Sequence, residues 1–476
     1  MPRDDLVTPE DRRPQTLAPV LGLFTAVALV IGEVIGSGIF IKPNQVAQAT
    51  GGYVGLILLL WIGCGLVALC GALTLSELSA MLPHAGGTYV FLREAYGRLW
   101  AFLWGWAEFW VIRTGAIAAL ATAMTMALEE LLVMSGYLQP DESHRQFQTV
   151  VATLVIALLA TVNIVRTRWG GMVQVATTAI KACSLVFLAV LPFIAAESSG
   201  RLGTSGALWP PASEIGLLAG LGGALSAILW TYDGWGQVTV VAEEVRNPQR
   251  NMPLALAGGV LVLIMLYAGA NLTYHLTLPA AEIAAAKIPA ADVTEKLLPG
   301  VGRRLVLAML LVSTFGALNS NILVGPRVLF AVGRDFRRLG WAGRIDPRTG
   351  TPALAIAAVS SWAIALVWAG DLSPNPNKRL FDVLTDYAIF GGSVFYFTEV
   401  FSVFVLRWRR PDLARPYRTL GYPVVPSVFV VSYVFLLVSM FWAAPFECTS
   451  GLTLIALGLV AFWLVFAPRG HRSDSG

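Results

Sequence analysis

The sequence predicts an all-α membrane protein with about twelve transmembrane helices. Only 13% of its 476 residues are charged and 56% are hydrophobic, whereas a soluble globular chain carries about 25% charged residues. Apolar runs of roughly 20 residues recur along nearly the whole length, and each can cross a hydrocarbon core about 30 Å thick. The lipid bilayer is therefore the expected surroundings of most of the chain.

The predicted spans alternate with short polar loops. They lie at 19–47, 53–80, 99–133, 149–165, 171–195, 215–243, 254–278, 305–332, 353–370, 381–406, 424–442 and 447–467. When both termini are placed inside, the cytoplasmic loops carry more than twice as many Lys and Arg residues as the outer loops. This bias predicts a multi-pass protein of the cell inner (plasma) membrane with both termini cytoplasmic. The outer loop after span seven is predicted to form short amphipathic helices.

The residue inventory excludes several other classes of protein. The four histidines and four cysteines show no metal-ligand or disulfide spacing, and neither HExxH nor GxSxG occurs. No catalytic residue, metal site or cofactor is therefore predicted, and nucleic acid is not an expected partner. A channel would be expected to show repeated filter sequences or rings of like charge, and neither appears in this sequence.

Two spans contain glycine and acidic residues near mid-length, where a helix tolerates them least. Span one reads GEVIGSGIF and span six reads LWTYDGWGQ. They would occupy equivalent positions if spans 1–5 and 6–10 were structural repeats, and such paired interruptions indicate a transporter binding site. The alternative is that Gly32 and Gly36, spaced as GxxxG, only seat a neighbouring helix.

The chemistry of an interrupted span suits a dipolar ligand. Unwinding frees backbone N–H and C=O groups that lipid cannot satisfy. The N–H groups begin a half-helix and attract a carboxylate, whereas freed carbonyls attract an ammonium group. A zwitterionic amino acid presents both charges.

Several motifs resemble those of the amino acid–polyamine–organocation (APC) superfamily. GSGIF is similar to its span-one signature, and SELSAMLPHAGGTYVFLREAYG to the stretch after span two. TYDGWGQVTVVAEEVRNPQRNMPLAL resembles span six of the L-type amino acid transporter branch, and weaker similarity continues through ALNSNILVGPRVLFAVGRD and RPYRTLGYPVVP.

The resemblance implies alternating access and a 5+5 inverted repeat in which helices 1 and 6 are discontinuous. The expected organisation is an N-terminal tail (1–17), a first repeat (18–196), a second repeat (214–406), helices 11 and 12 (407–468) and a C-terminal tail (469–476).

The resemblance also implies a substrate site at the two interruptions. Ser37 and Gly38 would donate backbone N–H groups to the substrate carboxylate, and Trp230 would cap the substrate as a gate. Carbonyls near Val34, Trp230 and Asp233 would receive its ammonium group. The full predicted set is Val34, Ile35, Gly36, Ser37, Gly38, Trp230, Thr231, Tyr232, Asp233 and Gly234.

Two ionisable residues are candidates for coupling. Lys181 lies deep in span five, where an unpaired ammonium is costly. We expect it to contact span-one carbonyls, and Ser313 or Thr314 of span eight; in similar transporters a lysine here replaces a sodium ion. A purely structural charge is the alternative. Glu33 could couple protons, balance a cationic substrate or Lys181, or be satisfied by its neighbours.

Three other charged residues are interpreted as structural. Glu108 and Arg113 are five residues apart, about 140° around an α-helix, and are not expected to pair. Glu77, near the inner end of span two, is expected to be hydrated.

The resulting functional prediction is a sodium-independent carrier of neutral L-amino acids that works by exchange. Proton-coupled symport and carriage of cationic amino acids or polyamines remain alternatives. Relatives that pair with a heavy subunit carry a cysteine in the outer loop after span three. The corresponding MSGYLQPDESHRQ has none, so no disulfide-linked heavy subunit is expected.

Replacing Ser37 by proline tests the span-one site directly. Ser37→Pro removes a backbone donor and local flexibility, so substrate binding should be lost while the fold is largely kept. Equilibrium binding of a labelled amino acid to the purified variant measures this, and an unchanged affinity would contradict the predicted site.

Overall fold

The computed structural model describes residues 19, 21–84, 86–139, 144–165, 167–199, 207–211, 221–369, 380–443 and 445–466. The predicted N-terminal and C-terminal tails lie outside the described residues. So do parts of the loops after spans three, five and nine.

The described residues are almost entirely helical. In chain order the α-helices are α1 (Leu23–Val34), α2 (Gly38–Ile41), α3 (Pro43–Ala49), α4 (Val54–Met81), α5 (Thr88–Tyr96), α6 (Arg98–Ala107), α7 (Arg113–Met134), α8 (Arg145–Val165), α9 (Thr167–Ser199), α10 (Leu221–Tyr232), α11 (Pro248–Thr277), α12 (Ala280–Ala285), α13 (Pro289–Leu297), α14 (Gly302–Val324), α15 (Pro326–Asp335), α16 (Ala353–Ala369), α17 (Leu380–Arg409), α18 (Val424–Ala443) and α19 (Pro445–Ala461). A π-helical turn, Glu108–Ile112, joins α6 to α7, and a 3₁₀ segment, Trp235–Glu244, follows α10. Short 3₁₀ and π turns follow α15 and α19.

Within the described part of the chain, nine helical stretches are long and apolar enough to cross a membrane. Two shorter apolar helices, Ala353–Ala369 and Cys448–Leu464, occupy the positions predicted for spans nine and twelve. The predicted span six is the pair formed by α10 and the 3₁₀ segment. The fold class predicted from the sequence, an all-α multi-span membrane protein, is confirmed.

Both interrupted spans are discontinuous, as predicted. Span one is divided into α1 and α2 by the non-helical residues Ile35–Ser37, and span six changes direction at Asp233 and Gly234. The starting segment of span one is also tied to the end of span six, because the Leu21 N–H donates to the Glu244 carbonyl at 2.8 Å and the Arg246 N–H donates to Leu21 at 2.8 Å. The beginning of span one and the end of span six are therefore joined through the backbone.

Aromatic side chains fill the space between spans two, six and seven. The rings of Trp61 and Tyr267 meet edge to face with centroids 6.0 Å apart, and Tyr232 lies 5.0 Å from Tyr267. All three side chains are almost completely buried. Edge-to-face pairs of this kind add to the stabilisation from area burial alone, so this cluster holds α10 firmly against α4 and α11.

The loop after span seven forms the short helices α12 and α13, as predicted. It packs over α3, where the Asn44 side-chain amide donates to the Ala286 carbonyl at 3.0 Å and the Gln48 amide donates to Ala284 at 2.6 Å. The loop is therefore attached to α3, the helix that follows span one.

Glu77 is not hydrated, and that prediction is wrong. Its side chain is 1% exposed, and its carboxylate accepts hydrogen bonds from Arg407 at 2.6 and 2.9 Å. The Thr419 N–H and hydroxyl donate to it at 2.7 and 2.8 Å, and Arg415 lies 3.5 Å away. The segment between α17 and α18 folds back over the end of α4 and covers the carboxylate, which position along the span does not indicate.

Removing this charge should destabilise the protein. Glu77→Gln leaves the Arg407 and Arg415 guanidinium groups without their buried counter-charge, and we expect the free energy of unfolding to fall by about 2–3 kcal/mol. Thermal unfolding in detergent measures the loss. Asp412→Asn is the matched control, because it breaks an exposed pair with Arg410 in the same segment and should have almost no effect. Equal melting temperatures for the two variants would contradict this role.

Candidate functional site

The break in span one leaves backbone donors free. α1 ends where the Ile35 N–H donates to the Ile31 carbonyl at 2.9 Å, and α2 begins at Gly38. Among the described residues, no protein acceptor pairs with the N–H groups of Gly36 and Ser37. The Ser37 hydroxyl is also buried without a hydrogen-bond partner. Several donors therefore converge at one point in the membrane interior.

The carbonyl groups around the same break are treated differently. Side chains of three other spans donate to them: Lys181 to Gly32 at 2.9 Å, Tyr267 to Val34 at 3.2 Å, Ser313 to Gly36 at 2.9 Å and Tyr274 to Ile39 at 3.0 Å. The break is thus mainly a site of unpaired donors, and a ligand with acceptor oxygens would complete it.

The break in span six depends on glycine. Gly234 has a φ of +104°, a conformation that residues with a side chain rarely adopt. A Cβ atom at this position would also lie 2.9 Å from Cγ of Glu33. The positive φ turns the chain from α10 into the 3₁₀ segment while allowing it to approach span one.

The two breaks meet each other. A Cβ atom on Gly38 would lie 2.9 Å from the Thr231 Cα, so the backbones of spans one and six are in close contact. The Tyr267 hydroxyl lies between them, 3.2 Å from the Val34 carbonyl and 3.0 Å from the Thr231 carbonyl. Span seven therefore connects both interruptions.

A cavity lies where the breaks meet. Its volume is about 40 Å³, which is room for a few water molecules at roughly 10–15 Å³ each. Its lining combines apolar side chains with a group of polar and charged ones, called its polar side below. The lining residues are Glu33, Val34, Gly36, Ser37, Gly38, Ile112, Arg113, Ala116, Leu120, Trp230, Asp233, Gly234, Gln237, Asn321 and Tyr396.

Most of the residues predicted for the site line this cavity, but four do not. Ile35 is fully buried beside it, and Thr231 turns its hydroxyl back to the Ala227 carbonyl at 2.9 Å. Tyr232 belongs to the aromatic cluster with Trp61 and Tyr267. Lys181 reaches span one at the Gly32 carbonyl, outside the lining set.

The predicted contact of Lys181 with the span-one backbone is present. Its ammonium donates to Gly32, and its side chain passes Gly316, where a Cβ would lie 2.9 Å from the Lys181 Cε. Ser313 and Thr314 do not pair with it: Ser313 donates to Gly36, and Thr314 donates to Leu310 within its own helix at 2.7 Å.

Glu108 and Arg113 do pair, which corrects the interpretation based on α-helical spacing. The Arg113 Nε and Nη2 atoms donate to one Glu108 oxygen at 2.9 and 2.7 Å. The reason is the π-helical turn, in which the Arg113 N–H bonds to the Glu108 carbonyl and residues five apart are stacked. The sequence contains no reliable signal for such a turn.

Arg113 and Glu33 connect three spans at the polar side of the cavity. Arg113 Nη1 donates to the Asn321 side chain at 2.6 Å and lies 3.4 Å from a Glu33 oxygen. The other Glu33 oxygen accepts a hydrogen bond from Ser320. Four polar residues of the lining were not predicted from the sequence: Arg113, Gln237, Asn321 and Tyr396. The sequence signal that could have indicated one of them was the presence of an arginine, Arg113, inside an apolar span.

The described residues contain no group of three or more His, Cys, Asp or Glu side chains arranged to hold a metal ion. The polar side of the cavity is made of carboxyl, guanidinium, amide and hydroxyl groups, several of which bond to one another. Its chemistry is binding and orientation of a small polar molecule.

The contact between the breaks predicts the effect of enlarging Gly38. Gly38→Ala places a methyl group 2.4 Å from the Thr231 Oγ1 and 2.9 Å from its Cα, so the spans must separate at a cost of about 1–3 kcal/mol. Thermal unfolding in detergent should show the loss. Gly63→Ala is the matched control, because nothing lies within 4 Å of its added methyl and a helix prefers alanine. A Gly38→Ala variant as stable as the control would contradict the close contact.

The sequence is similar to a known family of membrane proteins over nearly its whole length. The family model described as "Amino acid permease" matches residues 21–466. The chain is 30% identical over 462 residues to the "Serine/threonine exchanger SteT" of Bacillus subtilis, covering 95% of this chain and 98% of that protein.

Two human proteins are also similar over nearly the whole chain. The "b(0,+)-type amino acid transporter 1" of Homo sapiens is 28% identical over 466 residues, or 97% of this chain and 91% of its own. The "Large neutral amino acids transporter small subunit 2" of Homo sapiens is 28% identical over 456 residues, or 93% and 80%. This family consists of membrane transporters and not of enzymes, and the chain belongs to the amino acid permease family of the APC superfamily.

Proposed function

We propose that this protein is a sodium-independent exchanger of neutral L-amino acids that works by alternating access. The observation that carries the proposal is the cavity at the meeting point of two broken spans. There the Gly36 and Ser37 N–H groups and the Ser37 hydroxyl have no partner among the residues that the structure describes. Amino acid transport is the activity of the family, and the finer assignments rest on the arguments below.

The substrate carboxylate is assigned to the donors of span one. Oxygen acceptors are what this break lacks, because the neighbouring carbonyls already have donors while the N–H groups do not. Ser37 and Gly38 lie at the start of α2, where the helix dipole also favours negative charge. The substrate ammonium is assigned to carbonyls near Val34, Trp230 and Asp233, since each carbonyl oxygen has a second lone pair.

The Trp230 indole is assigned the role of gate. It lines the cavity and is 9% exposed, so its movement would change access to the ligand. The small cavity volume favours a compact substrate, and an exchanger named for serine and threonine is among the similar proteins.

Sodium independence is inferred from Lys181. The Lys181 ammonium donates to the carbonyl of Gly32, the residue before Glu33. It supplies there the positive charge that a bound sodium ion would otherwise bring. The contact lies in α1, three residues before the break begins at Ile35, which supports a role for Lys181 in coupling.

Exchange and a neutral substrate are supported by the names of the similar proteins. One is an exchanger, and another is named for large neutral amino acids. The cytoplasmic placement of both termini and the 5+5 repeat, with the boundaries given above, are part of the same proposal. So is a stand-alone protein without a disulfide-linked heavy subunit, although one similar protein is named a small subunit.

Proton-coupled symport is the second candidate. Two carboxylates, Glu33 and Asp233, line the cavity at the two breaks. A carboxylate that changes its protonation as the cavity opens to each side would couple proton and substrate movement.

Uptake into proteoliposomes distinguishes these functions. Labelled L-alanine should enter only when the vesicles contain unlabelled amino acid, and neither an inward sodium gradient nor an inward proton gradient should replace it. Vesicles with the Ser37→Pro variant serve as the inactive control. Concentrative uptake into empty vesicles driven by protons would favour symport, and a sodium requirement would contradict the role given to Lys181. Absence of any amino acid uptake would overturn the proposal as a whole.

A further inference from the structure

The cavity lining contains one arginine, Arg113, and two carboxylates, Glu33 and Asp233. Arg113 forms its shortest ion pair with Glu108 at 2.7 Å and a longer one with Glu33 at 3.4 Å. Asp233 lines the same cavity from span six. Arg113 therefore pairs with carboxylates of spans one and three and is the cation in the cavity lining.

Arg113 is held in place from the spans that do not contain the breaks. Three of its nitrogen atoms are engaged, with Nε and Nη2 on Glu108 and Nη1 on Asn321. Its side chain lies against Gly325, where a Cβ would be 2.4 Å from the Arg113 Cδ. The guanidinium is therefore positioned by spans three and eight, and it lies 3.4 Å from Glu33 of span one in the cavity lining.

This arrangement has a consequence for the substrates that the cavity can accept. A substrate with a cationic side chain would be attracted to the Glu33 and Asp233 carboxylates if they were unpaired. The Arg113 guanidinium already lies beside Glu33, and a second cation next to it would be repelled across a short distance in a buried site. A neutral polar side chain meets no such repulsion and can hydrogen-bond to the same groups.

We propose that Arg113 is a specificity-determining residue that excludes amino acids with cationic side chains by acting as an internal substitute for the substrate's cation. The proposal rests on the proposed function, because it names the substrate class of the same cavity. It assigns selectivity to a repulsive element built into the site, as specific binding sites commonly require.

The test uses two substrates that differ in charge and hardly in size. L-homoserine and L-2,4-diaminobutyrate have the same carbon chain, with a hydroxyl in one and an ammonium in the other. Each is added as an unlabelled competitor of labelled L-alanine uptake into exchange-loaded proteoliposomes. In the unaltered protein homoserine should compete at least about tenfold better than diaminobutyrate.

Two variants at position 113 separate charge from shape. Arg113→Gln removes the positive charge and should improve competition by diaminobutyrate by about tenfold or more relative to homoserine, even if total uptake falls. Arg113→Lys keeps the charge with fewer donors, so it should preserve the exclusion. Arg327→Gln, which breaks a pair with Glu244 outside the cavity, should leave the ratio as in the unaltered protein.

The outcomes separate this inference from the proposed function. Diaminobutyrate that competes as well as homoserine in the unaltered protein would overturn the inference and leave amino acid transport intact. The same holds if Arg113→Gln still excludes diaminobutyrate, or if Arg113→Lys admits it. If the Arg113 variants do not fold, the comparison of the two competitors in the unaltered protein still decides between exclusion and acceptance.

Discussion

The structure around the cavity depends on the hydrogen-bonding requirement of backbone groups inside a membrane. No water is available in the hydrocarbon region, so a helix can be broken there only where its polar groups find other partners. In span one the carbonyls find them in side chains of spans five, seven and eight, through Lys181, Tyr267, Tyr274 and Ser313. In the described part of the chain, the N–H groups of Gly36 and Ser37 have no such partner. A ligand with acceptor oxygens would complete the hydrogen bonding of this break.

Glycine allows the two breaks to form a single site. Gly38 lets span one reach the backbone of Thr231, and Gly234 lets span six turn beside Glu33. Since a methyl group would not fit at either position without movement, the glycines have a steric role here in addition to their conformational one. The beginning of span one is also joined to the end of span six by backbone hydrogen bonds between Leu21 and the end of the 3₁₀ segment. A displacement of either segment would therefore be transmitted to the other.

Buried charge is the second organising feature of the protein. Glu33, Glu108 and Arg113 are all almost completely buried, and isolated ions would be very unfavourable in this environment. Their mutual contacts connect the first break to spans three and eight. Near the end of α4, Glu77 has a comparable role, because it attaches the segment between α17 and α18 to α4. In both places a carboxylate gathers partners that are distant in the chain.

The sequence by itself determined the class of the protein, the approximate positions of its spans and the two places where they break. These properties are local: apolar length decides whether a segment can span the membrane, and clusters such as GEVIGSGIF and TYDGWG disrupt a helix wherever it packs. Most of the residues that line the cavity at the breaks could be predicted from the sequence for the same reason. Lys181 was identified because an ammonium in a long apolar segment must find a partner.

Only the tertiary structure decided which residues complete the site. Asn321 and Tyr396 reach the cavity from spans far away in the chain, and no periodicity within those spans marks them. Glu108 and Arg113 pair because one π-helical turn changes the angle between them, and an α-helical wheel therefore places them apart. Glu77 is covered by a segment more than three hundred residues later. Side-chain partners depend on packing between spans, whereas the spans themselves depend on local composition.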